Sequence, residues 1–341
     1  MKSISHSEAV MNISQFAKEA GVSVSAVSRY FNNGYLSDDK RAVIKDALER
    51  TGYVPSSSAS TIRTKVTKLV GVILPKLSSE SISHVTEGIG EVLREEGFEL
   101  LLVNTANDYN REVSSLDLFR MNRVDGVILL ASVFTELHQS LLKKMRVPTV
   151  IVGQRFKGFN CVCHNDLGAA YSMTKLMLDK GSKTPAFIGA NPDDNAVGRD
   201  RREGFEKAVK EAGLTVNPAL CDIAQFSMDS GYEKAKKLFS GKKKPDSLFC
   251  ATDTIAAGAM LYCRENGIRI PDDLMIAGVG DSRLGKVLYV PLTSAHLHYK
   301  TAGIEGAKML LAQLKSNSSV NRIIQLEYDI VERESTMKTA F

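Results

Sequence analysis

The hydrophobic and polar positions of the chain follow two different patterns, and the change between them falls near residue 66. Between residues 13 and 50, apolar residues recur at helical spacing in three segments that short polar turns separate. After residue 66, apolar runs of strand length, such as LVGVIL (69–74) and DGVILL (125–130), alternate with amphipathic helical segments. The pattern predicts an all-α N-terminal domain followed by a larger α/β domain.

The segment ISQFAKEAGVSVSAVSR (13–29) has the pattern of two helices joined by a sharp turn. Gly21 suits the left-handed backbone that such a turn requires, and Ser23 stands where the N-cap of the second helix belongs. Val27 and Phe31 are spaced to face the first helix. The residues expected to point outward are Val24, Ser25, Ala26, Ser28 and Arg29.

This outward face suits the major groove of DNA. Serine hydroxyls and a helix N-terminus can hold phosphate, and Arg29 can reach the edge of a guanine. The alternative is a surface helical hairpin that has no partner. Because turn, cap and outward face agree, the segment is interpreted as a DNA-reading helix-turn-helix.

A third helix is predicted from Ser37 to Arg50. Its inward-facing residues are expected to be Ala42, Val43, Ala47 and Leu48. The stretch SSSASTIRTK (56–65) that follows has the polar composition of a flexible linker. The domains are therefore predicted as a DNA-binding domain at 11–55, a linker or hinge at 56–66 and a two-lobed domain at 67–335.

The two-lobed domain is predicted from two similar series of strands and helices. Lobe 1 is expected at about 67–163 plus 296–325, and lobe 2 at about 164–292. The chain is expected to cross between them near 162–165 and 291–296, and a terminal strand near 323–328 returns to lobe 1. A cleft at the carboxyl ends of the strands, between the lobes, would enclose a small ligand.

Composition fits a globular protein of the cytoplasm. Hydrophobic residues make up 43% and charged residues 24% of the 341 positions, and the apolar runs are too short to span a membrane. Residues 1–10 lack the apolar core of a secretion signal, and five dispersed cysteines indicate reduced thiols. Residues 1–65 carry nine Lys and Arg against six Asp and Glu, so much of the net charge of +5 lies at the N-terminus.

These motifs resemble the LacI/GalR family of bacterial transcriptional repressors over residues 12–335. The resemblance is carried by AKEAGVSVSAVSRYFNN (17–33), TGYVPSSSA (51–59), VDGVILL (124–130), RREGFEKAVKEAG (201–213), LFCATDTIAAGAM (248–260) and PLTS (291–294). It implies a helix-turn-helix domain and a two-lobed α/β effector domain of the type I periplasmic-binding-protein kind. It also implies a homodimer, or a dimer of dimers, that binds double-stranded inverted-repeat operator DNA near the nucleoid and responds to a sugar.

The resemblance also assigns DNA contacts. Val24 and Ser25 fall at the positions that choose operator bases, and Arg29 and Asn32 at general DNA-contacting positions. The serine-rich stretch corresponds to a hinge helix, in which Ile62 replaces a leucine that enters the minor groove. Alternatively, Ile62 is a linker residue that packs on the first lobe.

In the effector domain, Arg201 matches the family arginine that clamps sugar hydroxyls. Asp166 and Asp253 match acidic positions that line or brace the cleft, although each also precedes a helix and could serve only as an N-cap. Asp281 ends the run GVGD (278–281), in which the first acidic position of the family pattern is Gly280. The common monosaccharide pattern is therefore incomplete.

Two features predict a disaccharide or its phosphate instead. Lys76, at the end of the first strand, and Ser79, near a helix N-terminus, would form a phosphate cradle, unless Lys76 is a solvated loop lysine. The segments KGFNCVCHNDLGAA (157–170) and DNAVGRDRREGF (194–205) are similar to the sucrose and trehalose regulators of the family. The expected effector is thus sucrose, trehalose or a 6-phosphate such as trehalose 6-phosphate.

A global carbon regulator with a phosphoprotein co-repressor is the nearest alternative, and a sugar-binding transport receptor or a sugar-modifying enzyme is more distant. Cys161, Cys163 and His164 lack a second ligand pair for a metal, so the cysteines are expected to be buried thiols. No activated nucleophile motif was found, and the sequence predicts no enzyme activity, no cofactor and no metal.

Overall fold

The computed structural model describes residues 11–31, 34–53, 66–316 and 320–337. They belong to two compact units, one N-terminal to Lys68 and one from Lys68 onward. No helix in these ranges is both long enough and apolar enough to cross a membrane.

The N-terminal unit is a three-helix domain, with α1 at Ile13–Glu19, α2 at Val24–Phe31 and α3 at Asp38–Thr51. Asn12 and Gln15 form a capping box that begins α1. As predicted, Gly21 has a left-handed backbone, with φ of +65°, in the turn before α2. The core contains Phe16, which stacks on Tyr53 with ring centroids 4.3 Å apart.

The predicted inward face of α3 is wrong at two positions. Ala42 and Val43 are exposed, whereas Ile44 and Ala47 are fully buried and Leu48 is half-buried. The larger Ile44 takes the central core position, and the helical spacing i, i+3, i+4 then selects Ala47 and Leu48.

The first lobe of the larger unit is built on a six-stranded parallel sheet in the order β11-β5-β4-β3-β1-β2. Its strands are β1 (Leu69–Leu74), β2 (Glu99–Asn104), β3 (Gly126–Leu130), β4 (Thr149–Val152), β5 (Asn160–His164) and β11 (Ile323–Leu326). Its helices are α4 (Glu80–Glu95), α5 (Tyr109–Met121), α6 (Glu136–Lys144) and α12 (Tyr299–Lys315).

The second lobe repeats this architecture in a sheet of order β12-β10-β9-β8-β6-β7, in which only the β12 pairing is antiparallel. Its strands are β6 (Pro185–Gly189), β7 (Cys221–Ile223), β8 (Ser247–Cys250), β9 (Met275–Val279), β10 (Thr293–Leu297) and β12 (Tyr328–Val331). Its helices are α7 (Asp166–Asp179), α8 (Arg201–Glu211), α9 (Met228–Ser240), α10 (Asp253–Glu265) and α11 (Arg283–Val287), and a π-helical turn spans Asn195–Asp200. The predicted α/β class with two sheets is confirmed.

The lobes are joined at three crossings. They follow His164, Leu297 and Leu326. The second lies later than the predicted 291–296, because β10 pairs with β9 in the second sheet. The single strand predicted near 323–328 is two strands: β11 pairs with β5, and after Glu327 the chain re-enters the second lobe, where β12 pairs with β10.

Two glycines place α12 directly against α4. A Cβ at Gly303 would lie 2.0 Å from the carbonyl oxygen of Val85, and one at Gly88 would lie 2.2 Å from that of Lys300. Only glycine allows the two backbones to approach this closely. The contact fixes the start of α12, where Tyr299 lies against the ring of His164.

Candidate operator and effector sites

The second helix, α2, presents a small polar surface. Ser23, Val24, Ser25 and Arg29 are exposed, and Ser28 is half-buried. The Oγ of Ser23 accepts a hydrogen bond from the N–H of Ala26 at 3.2 Å, as an N-cap does. Its side chain thus begins the helix that carries Val24, Ser25 and Arg29.

The prediction that Ala26 points outward is wrong. Ala26 is only 5% exposed and belongs, with Val27, to the core of the three-helix unit. Its methyl group fills space in that core, so the apolar face of α2 covers both positions. The two remaining DNA-contacting candidates, Asn32 and Ile62, lie outside the described residues.

A cleft of about 430 Å³ lies between the two lobes of the larger unit. In the first lobe it lies at the carboxyl ends of β4 and β5, where a doubly wound fold binds ligands. Residues of both lobes line it, among them Gln154 and His164 from the first lobe and Asp166, Arg199, Asp200 and Glu203 from the second.

Arg201 and Asp166 come together beside this cleft as a buried ion pair. Nε and Nη2 of Arg201 lie 2.8 Å and 2.7 Å from Oδ1 of Asp166, and Nη1 donates to the carbonyl of Ala251. The pKa of the neighbouring Tyr299 hydroxyl is raised to about 12, because the group is buried. The phenol therefore stays protonated beside the guanidinium at neutral pH.

Asp253 is held entirely by its own lobe. Its Oδ1 accepts from the hydroxyl of Ser294 at 2.6 Å, and its Oδ2 accepts from the N–H of Ser282 at 2.7 Å. A Cβ on Gly278 would lie 2.4 Å from Oδ1, which explains a glycine at that position. These contacts make Asp253 a brace for the loop that follows β9.

Asp166 and Asp253 are not the N-caps of their helices, because the preceding residue is the N-cap in each case. Asn165 caps α7 by accepting from the N–H of Gly168, and Thr252 caps α10 by accepting from the N–H of Ile255. Asp166 and Asp253 each occupy the first helical position instead. Neither side chain is thereby explained as a cap.

Asp281 is contacted by a lysine, an arginine and a histidine of the second lobe. Its carboxylate lies 3.4 Å from Nζ of Lys286 and 3.2 Å from Nδ1 of His296, and Nη2 of Arg333 donates to it. Burial opposes ionisation, but the hydrogen bond and charge of Arg333 hold the pKa of Asp281 below its ordinary value.

Lys76 spans the two lobes. Its Nζ donates to the carbonyl of Phe226 at 3.3 Å, and its side chain is half-buried. The Oγ of Ser79 lies 2.9 Å from that of Ser81, at the N-terminus of α4. The next residue, Glu80, turns a carboxylate toward Arg283 of the other lobe, with an Nε to Oε1 distance of 3.0 Å.

Gln154 and Asp194 form a link between the lobes that the sequence analysis missed. Nε2 of Gln154 donates to the carbonyls of Ala131 at 3.1 Å and of Ser132, and to Oδ1 of Asp194 at 3.1 Å. Burial raises the pKa of Asp194 to about 6, and it raises that of Asp200 to about 6 as well. Within the block 194–205 the sequence predicts only Arg201 as a site residue, and Gln154 lies in no motif.

Cys161 and Cys163 are buried in β5, as predicted. Burial raises the pKa of the Cys163 thiol to about 11. Within the described ranges, no group of three His, Cys, Asp or Glu side chains is arranged to hold a metal ion.

Two protein-family models match this chain. Residues 12–56 match the family described as bacterial regulatory proteins, lacI family, and residues 174–336 match the periplasmic binding protein-like domain.

Two curated relatives are similar over nearly the whole chain. The HTH-type transcriptional regulator RegA of Clostridium saccharobutylicum is 30% identical over 329 residues, which are 96% of this chain and 99% of that protein. The HTH-type transcriptional repressor PurR of Histophilus somni is 28% identical over 328 residues, 95% of this chain and 98% of that protein.

Among solved structures, the lac repressor dimer bound to operator and the anti-inducer ONPF has the same fold. It aligns with a TM-score of 0.85 at 20% identity, over 96% of this chain and 99% of that chain.

Proposed function

Since the chain belongs to the LacI family of bacterial regulatory proteins, a family of DNA-binding transcriptional regulators, we propose that it is a homodimeric repressor of a sugar-utilisation operon. The proposed effector is a disaccharide or phosphorylated disaccharide, such as sucrose or trehalose 6-phosphate. Effector binding and operator binding oppose each other, so the sugar that loosens the operator complex also binds more weakly to the DNA-bound protein.

On the operator side, the proposal is supported by the exposed face of α2. Val24, Ser25 and Arg29 lie at the start and middle of a helix that Ser23 caps. Val24 offers apolar contact to a thymine methyl, and Arg29 offers a bidentate contact to guanine. A dimer would place two such helices on the halves of an inverted repeat, as in the lac repressor dimer bound to its operator.

On the effector side, the observation that carries the proposal is the buried Arg201–Asp166 pair beside the cleft between the lobes. The carboxylate fixes the guanidinium fork in one orientation, so its remaining N–H groups are preorganised for hydroxyl groups of a ligand. Asp166 lines the cleft together with Gln154, Asn165 and Asp200, and such a polar lining suits a sugar better than an apolar ligand.

Lys76 and Ser79 are proposed to receive a phosphate where the effector carries one. Nζ of Lys76 donates to the carbonyl of Phe226 at 3.3 Å, and a phosphate is a stronger acceptor than a carbonyl. Glu80 lies in the first turn of α4 and would repel the phosphate, but its carboxylate is paired with Arg283. Asp166, Asp253 and Asp281 are then bracing residues that shape the site.

The test is fluorescence-anisotropy binding to inverted repeats from the protein's own promoter region, at fixed salt because salt alone changes such affinities strongly. Sucrose, trehalose, their 6-phosphates and fructose are titrated into the complex. The phosphate site is supported if a 6-phosphate no longer releases the Lys76→Gln variant from the operator while the unphosphorylated sugar still does. Binding that no sugar alters, or that needs a phosphoprotein, contradicts the proposed effector.

A further inference from the structure

Two buried acceptor atoms beside the cleft have no hydrogen-bond partner in the part of the chain that the structure describes. They are Oε1 of Gln154 and Nε2 of His164. Both residues line the cleft, and their exposed fractions are only 2% and 7%. A buried polar atom without a partner is unfavourable, so each atom marks a place where a donor from a ligand would stabilise the protein.

The orientation of the Gln154 amide is fixed by its surroundings. Its nitrogen faces three acceptors, namely the carbonyls of Ala131 and Ser132 and the carboxylate of Asp194. If the amide were flipped, its oxygen would face these three oxygens instead. The unpartnered atom of Gln154 is therefore the oxygen, which accepts hydrogen bonds and cannot donate them.

The ring of His164 offers an acceptor at Nε2 in one of its two neutral tautomers. Burial lowers the pKa of His164, so the ring is neutral at neutral pH. In the tautomer with the proton on Nδ1, Nε2 is unprotonated. Nε2 of the neutral ring is then an acceptor.

We propose that Gln154 and His164 are specificity-determining residues of the effector site, to which the ligand donates hydrogen bonds from two hydroxyl groups. The inference rests on the proposed function, because it requires that the effector be a sugar bound in this cleft. It adds that the hydroxyl-bearing, uncharged part of the sugar lies here. Any phosphate lies elsewhere, at Lys76.

The charges of the lining agree with this division. The lining carries no excess of positive charge, because Arg201 neutralises Asp166, and Asp200 and Glu203 stand against Arg155 and Arg199. With two free acceptors added, the cleft favours a neutral donor over an anion. Gln154 also holds Asp194 of the opposite lobe, and His164 ends the strand at the first crossing. A sugar bound to these atoms therefore contacts residues that join the lobes.

The experiment is isothermal titration calorimetry of the full-length protein with four probes: sucrose, trehalose and the 6-phosphate of each. His164→Phe removes the acceptor and His164→Gln restores one near the same position. For the probe that binds wild type best, His164→Phe is expected to bind about tenfold more weakly, a change of 1.4 kcal/mol. His164→Gln is expected to recover most of this loss. Equal affinity of wild type and His164→Phe would overturn the inference.

Gln154 is tested with Gln154→Met and with monodeoxyfluoro analogues of the same sugar, whose fluorine cannot donate a hydrogen bond. One analogue is expected to bind wild type about tenfold more weakly than the parent sugar does. The same analogue is expected to bind Gln154→Met as tightly as the parent sugar binds that variant. If every analogue loses the same affinity in both proteins, no hydroxyl donates to Gln154. Melting temperatures are measured in parallel, and if Gln154→Met does not fold, the His164 pair decides.

The experiment distinguishes an error in the effector class from an error in the assignment of Gln154 and His164. If wild type binds none of the four probes, the proposed effector class is wrong and the inference falls with it. If wild type binds one of them and the Gln154 and His164 variants bind it equally well, the effector class stands and the assignment of these two residues is wrong.

Discussion

Arg201 directs two nitrogens at one oxygen of Asp166: Nε at 2.8 Å and Nη2 at 2.7 Å from Oδ1. Nη1 donates to the carbonyl of Ala251, so the guanidinium is held from two sides. The two residues begin α8 and α7, which pack so closely that a Cβ on Gly204 would lie 2.3 Å from the carbonyl oxygen of Leu167. The pair thus depends on the packing of two helix N-termini.

Arg201→Lys is predicted to leave operator binding unchanged and to abolish release by sugar. Lysine keeps the positive charge beside Asp166 but lacks the planar fork that orients hydroxyl groups. The measurement is anisotropy of operator DNA with and without the sugar that releases wild type. Arg201→Ala is the harsher comparison, because an unpaired buried Asp166 costs about 3–5 kcal/mol. Release that survives in Arg201→Lys would contradict the cleft assignment.

A second buried pair, Glu112 and His138, lies in the first lobe. Oε1 of Glu112 is 3.3 Å from Nε2 of His138, and both side chains are at most 1% exposed. His138→Leu is predicted to destabilise the protein by about 1–3 kcal/mol, because it removes the polar group beside the buried carboxyl of Glu112.

The double variant Glu112→Leu, His138→Leu is predicted to be more stable than His138→Leu alone, since no buried carboxyl is left without a polar neighbour. Calorimetric unfolding of the two variants and wild type checks the order. A double variant less stable than His138→Leu would mean that Glu112 stabilises the first lobe without His138.

The sequence predicted the fold well because its strongest patterns are local. The run at 69–74 is a strand at those residues, and the turn at Gly21 has the required positive φ. The predictions for Ala26 and Val43 are wrong because the spacing of apolar residues alone leaves the phase of a helix uncertain by one residue. That phase is decided by packing, here by Ile44 and Val27 in the core.

The candidate site was predicted only in part, because its contacts join residues far apart in the chain. Arg201 and Asp166 are each predicted from a motif, but neither motif indicates that the two side chains form an ion pair. Gln154 was missed, since a single glutamine after a strand carries no motif. Gln154 links the lobes through a hydrogen bond to Asp194, which lies 40 positions further along the chain in the other lobe. The turn between β11 and β12 was missed because one residue, Glu327, separates two strands of different sheets.

Asp194→Asn is predicted to stabilise the protein at neutral pH but not at pH 4. The folded pKa of Asp194, about 6, lies above the ordinary 3.8, so the folded protein binds this proton more tightly than the unfolded chain does. The cost of ionisation is therefore absent below pH 4, grows between pH 4 and 6, and reaches about 3 kcal/mol above pH 6. Asparagine keeps an acceptor for the N–H of Val197.

Melting temperatures between pH 4 and 8 check this prediction, with Asp193→Asn, at an exposed neighbouring position, as the matched control. The gap between Asp194→Asn and wild type should widen as the pH rises through 4 to 6. A gap that is the same at every pH would show that the buried carboxylate is not the source of the difference.

Arg29→Ala is predicted to weaken binding to the specific operator by about 1–3 kcal/mol, which is the value of a bidentate arginine–guanine contact. Its effect on a scrambled duplex of equal length should be smaller, because that duplex does not offer the guanine contact. Loss of a phosphate contact would instead weaken binding to all sequences alike. Arg50→Ala is the matched control, since it removes another exposed arginine of the same unit, one that pairs with Asp46 in α3. Anisotropy titrations at two salt concentrations separate the loss of a base contact from the loss of a phosphate contact. If Arg29→Ala weakens operator and scrambled DNA by the same factor, Arg29 contacts only the backbone, and the operator is read by Val24 and Ser25.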